Sequence, residues 1–393
     1  MLPYRAVVVG ETFLMRNDVY ASKLTRRPRK WRGYRVALVA AAVLAVGATV
    51  VCAGCGQPAR YERSAYVLDT ALTITIVDVR PTTQRDVEEA LAYARSLASY
   101  VDYYDPESEI SRLNARIASA DAFPATISCS ATLGAIIETA VEVAKVSDGY
   151  YDPTVGALTD AWSFNTGGRL PRPDEITEAL RTVGYERISV APDRRAIRAA
   201  GVTRIDPGGI SKGWAIERIA RFLEKKGYRH FLINGVSSTV ARGNRYRVSR
   251  VRGSEDVEGA ADGEPFRVGI EHPRGKGLMA VVRLQGGETI STSGDYQRYF
   301  IHDGKRYHHI LDPHTGYPAE GFRSVTIVAP LPAAVTDALS TAVFAMGKER
   351  GIAFVKEHAR TLGIKMIAMD KTGKIVVVPE GEWVEVEPPR GAR

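Results

Sequence analysis

Three stretches of this chain carry side chains suited to chemistry on a phosphorylated ligand. The first is Ile205-Asp206-Pro207-Gly208-Gly209-Ile210-Ser211-Lys212-Gly213, which reads as a strand end, a Gly-Gly turn and a helix start. Paired glycines let backbone approach a ligand closely, and a helix amino terminus aims free N–H groups and positive partial charge at an anion. Lys212 adds a mobile cation to that first turn. The same residues would equally form a tight turn with no ligand, because such turns recur widely.

The second stretch is Thr336-Asp337-Ala338-Leu339-Ser340-Thr341, downstream of Pro330 and Pro332. Asp337 and Thr341 are four residues apart and so share one helix face. A carboxylate with a hydroxyl suits a hard cation such as Mg²⁺, which takes few protein oxygens and completes its shell with water and phosphate. Helix capping by Asp337, favoured by the dipole, accounts for the residue equally well. The third stretch, 289–318, holds the hydroxyl-rich turn Ser291-Thr292-Ser293-Gly294-Asp295 and the breaker-rich His309-Ile310-Leu311-Asp312-Pro313-His314-Thr315-Gly316. Adjacent His308 and His309 in a strand point to opposite faces. One is therefore expected to be exposed and the other to face the interior or a site. No His/Cys spacing completes a tetrahedral zinc site.

The elements that must position these groups follow from periodicity. Residues 66–79 alternate apolar and polar side chains and predict a strand. Helical spacing predicts helices over 83–104, 130–146, 210–226 and 334–346, with a further one over 348–361 and a terminal hairpin. Strands are expected at 230–234, 236–242, 266–271, 279–284, 290–293, 297–302 and 324–329. Residues 243–265 are charge-rich and read as a mobile connection. Helices and hairpins without a βαβα rhythm predict an α+β fold.

Charge is distributed unevenly. The net charge is +8, but residues 1–54 hold nine Lys/Arg and two Asp/Glu, leaving 44 basic and 43 acidic side chains. A nearly neutral body offers no general attraction to polyanions, so nucleic acid is not an expected partner. Thr25-Arg26-Arg27-Pro28-Arg29-Lys30-Trp31-Arg32 precedes an uncharged stretch, 36–54, that ends at Cys55. A positive region, an apolar region and small residues before a cysteine describe an export signal. Cys52-Ala53-Gly54-Cys55 resembles a lipoprotein signal, with Cys52 in place of the usual aliphatic. An uncleaved transmembrane anchor is the other reading of the same span. Either places the body outside the cytoplasm, anchored to the membrane. Residues 1–55 are thus assigned to export, 56–63 to a tether and 64–393 to the functional domain. Once Cys55 is lipidated and Cys52 removed, Cys129 stands alone, and no disulfide framework can be built.

Six segments in order resemble the ApbE family of FAD:protein FMN transferases: residues 108–114 (SEISRLN), 148–162 (DGYYDPTVGALTDAW), 205–217 (IDPGGISKGWAIE), 292–300 (TSGDYQRYF), 309–318 (HILDPHTGYP) and 336–347 (TDALSTAVFAMG). The resemblance covers about residues 64–378. It implies an α+β fold with mixed or antiparallel sheets flanked by helices and an active site between two lobes. It also implies that the Gly209 carbonyl, Asp337 and Thr341 hold Mg²⁺ against the diphosphate of FAD. By the same resemblance FAD lies against Leu68, Tyr150, Tyr151 and Asp152 line the nucleotide, Asp206 bonds adenosine or ribose, Lys212 reaches phosphate and Leu311 contacts the flavin side. Asn234-Gly235-Val236-Ser237-Ser238 departs from the family's Asn-x-Gly-Gly-Asp.

The implied reaction transfers FMN to a Thr or Ser hydroxyl of an acceptor flavoprotein and releases AMP. Asp337 and His309 are both candidates for the base, and the residues do not choose between them. Hydrolysis of FAD to FMN and AMP, or storage of FAD without turnover, would use the same groups.

Overall fold

The structure, a computed structural model, describes residues 12–14, 60–67, 70–202, 204–243 and 264–386. Leu68, Cys52, Cys55, the export segment apart from 12–14, and most of the 243–265 connection lie outside the described residues.

In chain order the strands are β1 (Thr12–Leu14), β2 (Tyr61–Val67), β3 (Thr70–Ile76), β4 (Ala125–Ser128), β5 (Ile188–Val190), β6 (Ala196–Ala199), β7 (Phe231–Asn234), β8 (Ser238–Arg242), β9 (Phe266–Glu271), β10 (Leu278–Leu284), β11 (Thr289–Gly294), β12 (Tyr299–His302), β13 (Lys305–His308), β14 (Phe322–Ala329), β15 (Lys365–Asp370), β16 (Ile375–Val378) and β17 (Val384–Val386). The longer helices are α1 (Thr83–Val101), α2 (Glu109–Ala118), α3 (Ala131–Val146), α4 (Gly156–Trp162), α5 (Pro173–Leu180), α6 (Gly208–Lys225) and α7 (Ala333–His358).

The centre is an eight-stranded sheet ordered β16-β15-β14-β11-β8-β7-β3-β2, antiparallel at every pairing. Successive residues point to opposite faces of a strand, and here both faces are covered. Ile233 and Ile327 face the helices, whereas Leu232 and Val328 face a second sheet, β1-β9-β10-β17. That double burial explains why β7 is apolar throughout and lacks the alternation of a half-exposed strand. A smaller unit packs α2 and α3 on the three-stranded sheet β4-β6-β5 around Ile110, Leu133, Ile137 and Ile197. The architecture is α+β, as the residue pattern predicts.

One expectation changes in detail, and three helices, α2, α4 and α5, were not expected. The strand read over 66–79 is a hairpin: β2 and β3 pair from Tyr61↔Ile76 to Val67↔Thr70, so the chain enters the sheet at Tyr61. The periodicity is the same on both arms, and it conceals the reversal of direction between Val67 and Thr70. The two helices expected at 334–346 and 348–361 are both present: the span labelled α7 is two helices that meet at Gly347, whose φ of 71° and ψ of −177° are not helical. Only glycine takes that conformation without steric cost.

Candidate functional site

Helices α6 and α7 cross at their amino-terminal ends, and the crossing is as close as backbone allows. A Cβ at Gly213 would lie 2.1 Å from the Ala333 carbonyl oxygen and 2.8 Å from Asp337 Cβ. A Cβ at Gly209, one turn earlier, would lie 2.9 Å from Tyr151 Cε2 and 3.3 Å from Thr341 Oγ1. Gly209, Asp337 and Thr341, distant in sequence, therefore meet at one place.

Asp337 is buried there. Its Oδ2 accepts the Gly213 N–H at 2.9 Å and its Oδ1 accepts the Ser238 hydroxyl at 3.1 Å. Ser238 in turn accepts from Ser291 at 2.9 Å. Ser293 bonds Ser340 at 2.8 Å and Thr341 at 3.2 Å. The seam between β8, β11 and α7 is thus lined with hydroxyls. Burial raises the proton affinity of Asp337, and Lys212, the Gly213 N–H and Ser238 oppose that rise. Half-buried Lys212 shows the mirror image: burial lowers its pKa and the Asp337 charge opposes the drop. The two groups attract each other without forming a direct ion pair.

The turn that leads into α6 is fixed from behind. Asn114 of α2 donates to the Ile205 carbonyl at 2.9 Å and accepts the Ile205 N–H at 2.8 Å. The Asp206 N–H bonds the Pro153 carbonyl at 2.7 Å. Asp206 Oδ1 accepts the Gly208 N–H at 2.8 Å, and Oδ2 accepts Thr159 at 2.8 Å. Asp206 therefore braces the turn that leads into α6. Asp152 is buried with both oxygens engaged: Oδ1 by the Thr154 N–H and hydroxyl, Oδ2 by the Tyr185 N–H at 2.9 Å. It organises the loop that carries its neighbours. Tyr151 is buried beside Gly209 with no hydrogen-bond partner for its hydroxyl among the described residues, and burial followed by Asp206 and Asp337 pushes its pKa up. Half-buried Tyr150 lies against His314, ring centroids 4.5 Å apart, and the Arg350 guanidinium sits over the Tyr150 ring, 5.0 Å from its centroid.

The adjacent histidines differ, though not as exposed against buried. His308 is in the core: Nε2 lies 3.0 Å from the Ala319 carbonyl, the ring meets Phe344 edge-on, and burial lowers its pKa to about 4. The expectation of one exposed histidine is corrected, because β13 is covered on the Phe344 side by α7. His309 is half-buried, and its Nδ1 lies 3.2 Å from the Arg298 carbonyl. A carbonyl only accepts, so Nδ1 carries the proton and Nε2 the lone pair. Burial, then the Arg298 charge, His308 and Lys212, hold its pKa well below the usual value. Leu311 is buried with Leu158 and Trp162, and the Trp162 indole N–H holds the Gly316 carbonyl at 2.8 Å, fixing the loop after His309.

Arg298 is the residue that sequence reasoning passed over. Its charge acts on Lys212, His309 and Tyr104 together. Among the described residues it makes no ion pair with a carboxylate. Its presence in the 292–300 segment was the available signal, but an arginine in a strand reads as a solvated side chain. Ser238 was hidden for the same reason, inside a turn that looked altered. Val236 there has φ 68°, a conformation costly for a β-branched residue.

Fold and site define a class: an α+β protein in which the buried Asp337 carboxylate, neutral oxygens and cations with no ion-pair partner among the described residues surround a glycine-rich helix crossing, suited to a polyanionic ligand. The model of the ApbE family matches residues 68–365. The chain belongs to that family. It is 28% identical over 336 residues to a Treponema pallidum protein named FAD:protein FMN transferase, covering 82% of this chain and 88% of the relative. A Haemophilus influenzae protein of the same name is 25% identical over 329 residues, covering 80% and 89%. The crystal structure of the ApbE protein of Thermotoga maritima superposes with a TM-score of 0.70 at 29% identity, covering 81% of this chain and 97% of that one. The apo flavinyl transferase ApbE of Pseudomonas stutzeri gives 0.67 at 25% identity, covering 82% and 94%.

Proposed function

We propose that this chain transfers FMN from FAD to a Thr or Ser hydroxyl of an acceptor protein, with release of AMP, and needs a divalent cation, Mg²⁺, to do so. The observation that carries the reading is the meeting of Gly209, Asp337 and Thr341 at the helix crossing. The donor set fits the cation. Among the described residues no three His, Cys, Asp or Glu side chains gather, so any ion there has one carboxylate, neutral oxygens and the ligand's own phosphates. That is the oxygen-rich, partly solvated shell Mg²⁺ prefers. Asp337 keeps a lone pair on each oxygen beyond its two hydrogen bonds. Bound there, the ion would supply fixed positive charge beside the diphosphate.

The chain's own groups do the rest. Lys212 and Arg298 neutralise charge on the diphosphate, and among the described residues neither has a carboxylate at ion-pair distance. Between the two candidate bases the geometry favours His309 over Asp337. His309 is neutral at physiological pH with Nε2 free to accept a proton, whereas the lone pairs left on Asp337 are the ones the cation would take. In the proposed step the acceptor oxygen bonds the phosphorus nearer riboflavin, its proton passes to His309 Nε2, and the bond to AMP breaks. A positioned base contributes about 10²–10⁴-fold. Tyr150, Tyr151, Asp206, Leu311 and Leu68 are proposed contacts of FAD. We also propose export and anchoring through Cys55. Among the described residues no helix is long and apolar enough to cross a membrane.

The test is to incubate the chain with FAD, Mg²⁺ and an acceptor flavoprotein domain, then weigh the acceptor and assay AMP. Transfer gives an acceptor heavier by FMN and an equal amount of AMP. FMN and AMP with an unmodified acceptor would mean hydrolysis instead, and intact FAD would mean binding alone.

A further inference from the structure

Ser238 and Ser291 face each other across the β8–β11 ladder and are fully buried. The Ser291 hydroxyl donates to Ser238 at 2.9 Å, and the Ser238 hydroxyl donates to Asp337 Oδ1 at 3.1 Å. The direction matters: with its oxygen occupied by Ser291, Ser238 has its proton turned toward the carboxylate. The Gly213 N–H holds Oδ2 from the opposite side at 2.9 Å. A carboxylate gripped on both oxygens by groups from different elements cannot rotate about its Cβ–Cγ bond. Each oxygen retains a lone pair in a fixed direction. Among the described residues neither serine hydroxyl bonds any other charged group, and two hydroxyls buried in the middle of a sheet cost free energy unless bonded.

We propose that Ser238 and Ser291 form a two-hydroxyl relay that positions Asp337 to bind the divalent cation, with Ser291 acting only through Ser238. They are positioning residues, touching neither substrate nor ion. The proposal rests on the reading of Asp337 as a cation ligand. Groups that orient a metal ligand change affinity by about 10–100-fold when removed. Ser238→Ala should weaken Mn²⁺ binding to the full chain by about 10-fold or more, read by the loss of the free-ion electron paramagnetic resonance signal on titration. Ser291→Ala should weaken it less, and should add nothing in the Ser238→Ala background. Ser238→Cys, which restores a weak donor, should recover part of the loss.

Thermal melting of each variant without metal reports the fold. Wild-type affinity in a folded Ser238→Ala protein overturns the relay, as does additivity of the two alanine substitutions. Should Ser238→Ala fail to fold, Ser291→Ala decides alone, since it leaves Ser238 in place: unchanged Mn²⁺ affinity then overturns the proposal. If the wild-type chain and Asp337→Ala bind Mn²⁺ equally, the cation reading itself has failed, a result distinct from a failed relay.

Discussion

Two aspartates in this molecule are almost equally buried and are treated in opposite ways. Asp337, at the helix crossing, receives one N–H and one hydroxyl, and its proton affinity is raised by burial. Asp370, at the end of β15, receives the Lys348 ammonium at 2.7 Å, the Thr372 N–H and hydroxyl, and the Lys374 N–H at 3.0 Å. Against the upward pull of burial, Lys348 and Thr372 hold its carboxyl well below the ordinary carboxylate range. One carboxylate is fully served by its own chain, while the other retains acceptor capacity. The difference marks which of them awaits something from outside the fold.

The strongest way to break this contrast is to remove both side chains in turn. Asp337→Ala should lower FMN transfer by about 10³-fold or more, since the fixed charge at the diphosphate goes with it. Its stability should fall little, because the group removed is a buried carboxylate with few partners. Full transfer by this variant at limiting magnesium would end the metal assignment. Asp370→Ala should do the reverse. Losing charge-assisted bonds to Lys348, Thr372 and Lys374 should cost about 2–3 kcal/mol in urea unfolding, with transfer per folded molecule unchanged. A variant pair that lost activity and stability together would erase the distinction.

The contrast was only half legible in the residues. The spacing of Asp337 and Thr341, and the paired glycines before Lys212, pointed to a cation and an anion site because those types carry their chemistry in local sequence. Asp370 attracted no notice, although Asp370-Lys371-Thr372-Gly373-Lys374 is a turn that wraps a carboxylate in donors. What local pattern could not supply was pairing across the sheet. Ser238 reaches Asp337 across elements far apart in sequence, and the Arg298 charge acts on Lys212, distant in the chain, as well as on His309. The same limit turned one apparent strand at 66–79 into a hairpin, since alternation is blind to a reversal that preserves it. The longer helices did better: the capping Ser130, which accepts an N–H three residues on, and the glycine bend at 347 are local features, whereas the short helices at 109–118, 156–162 and 173–180 were missed although Ser108 caps the first of them in the same way.

Neighbouring histidines extend the contrast to pH. His308 has a folded pKa of about 4 against an ordinary value near 6.5. The unfolded chain therefore binds a proton below about pH 6.5 that the folded chain refuses until about pH 4. Stability from this group is complete above pH 6.5 and is lost as pH falls through that window. Between pH 7 and pH 5 the loss should be about 2 kcal/mol, from about 1.5 units at 1.36 kcal/mol each. Urea midpoints for wild type and His308→Gln should show it as a steeper acid slope in the wild type. Asp370 acts lower: its depressed pKa keeps its contribution whole above the ordinary carboxylate value, and that contribution fades only below it. An acid slope unchanged by His308→Gln would mean that His308 is reached by solvent.

The smallest expected effect tests Asp337 in its resting state. A carboxyl whose folded pKa is raised above its unfolded value costs stability while it is ionised, and the cost eases as pH falls. A cation at that carboxylate should relieve the same cost at neutral pH by binding the folded form alone. At ten times its dissociation constant, Mg²⁺ would add about 1.4 kcal/mol, a rise of about 2–4 °C in Tm. Asp337→Asn removes the charge and keeps the shape, so it should melt no lower than the metal-free wild type and should ignore Mg²⁺. Asp370→Asn, by contrast, should melt lower than wild type in both conditions and keep the full response to Mg²⁺, because the carboxylate it loses already has its cation in Lys348. A Mg²⁺ shift retained by Asp337→Asn would place the ion elsewhere on the surface and leave the open valence of Asp337 without a ligand.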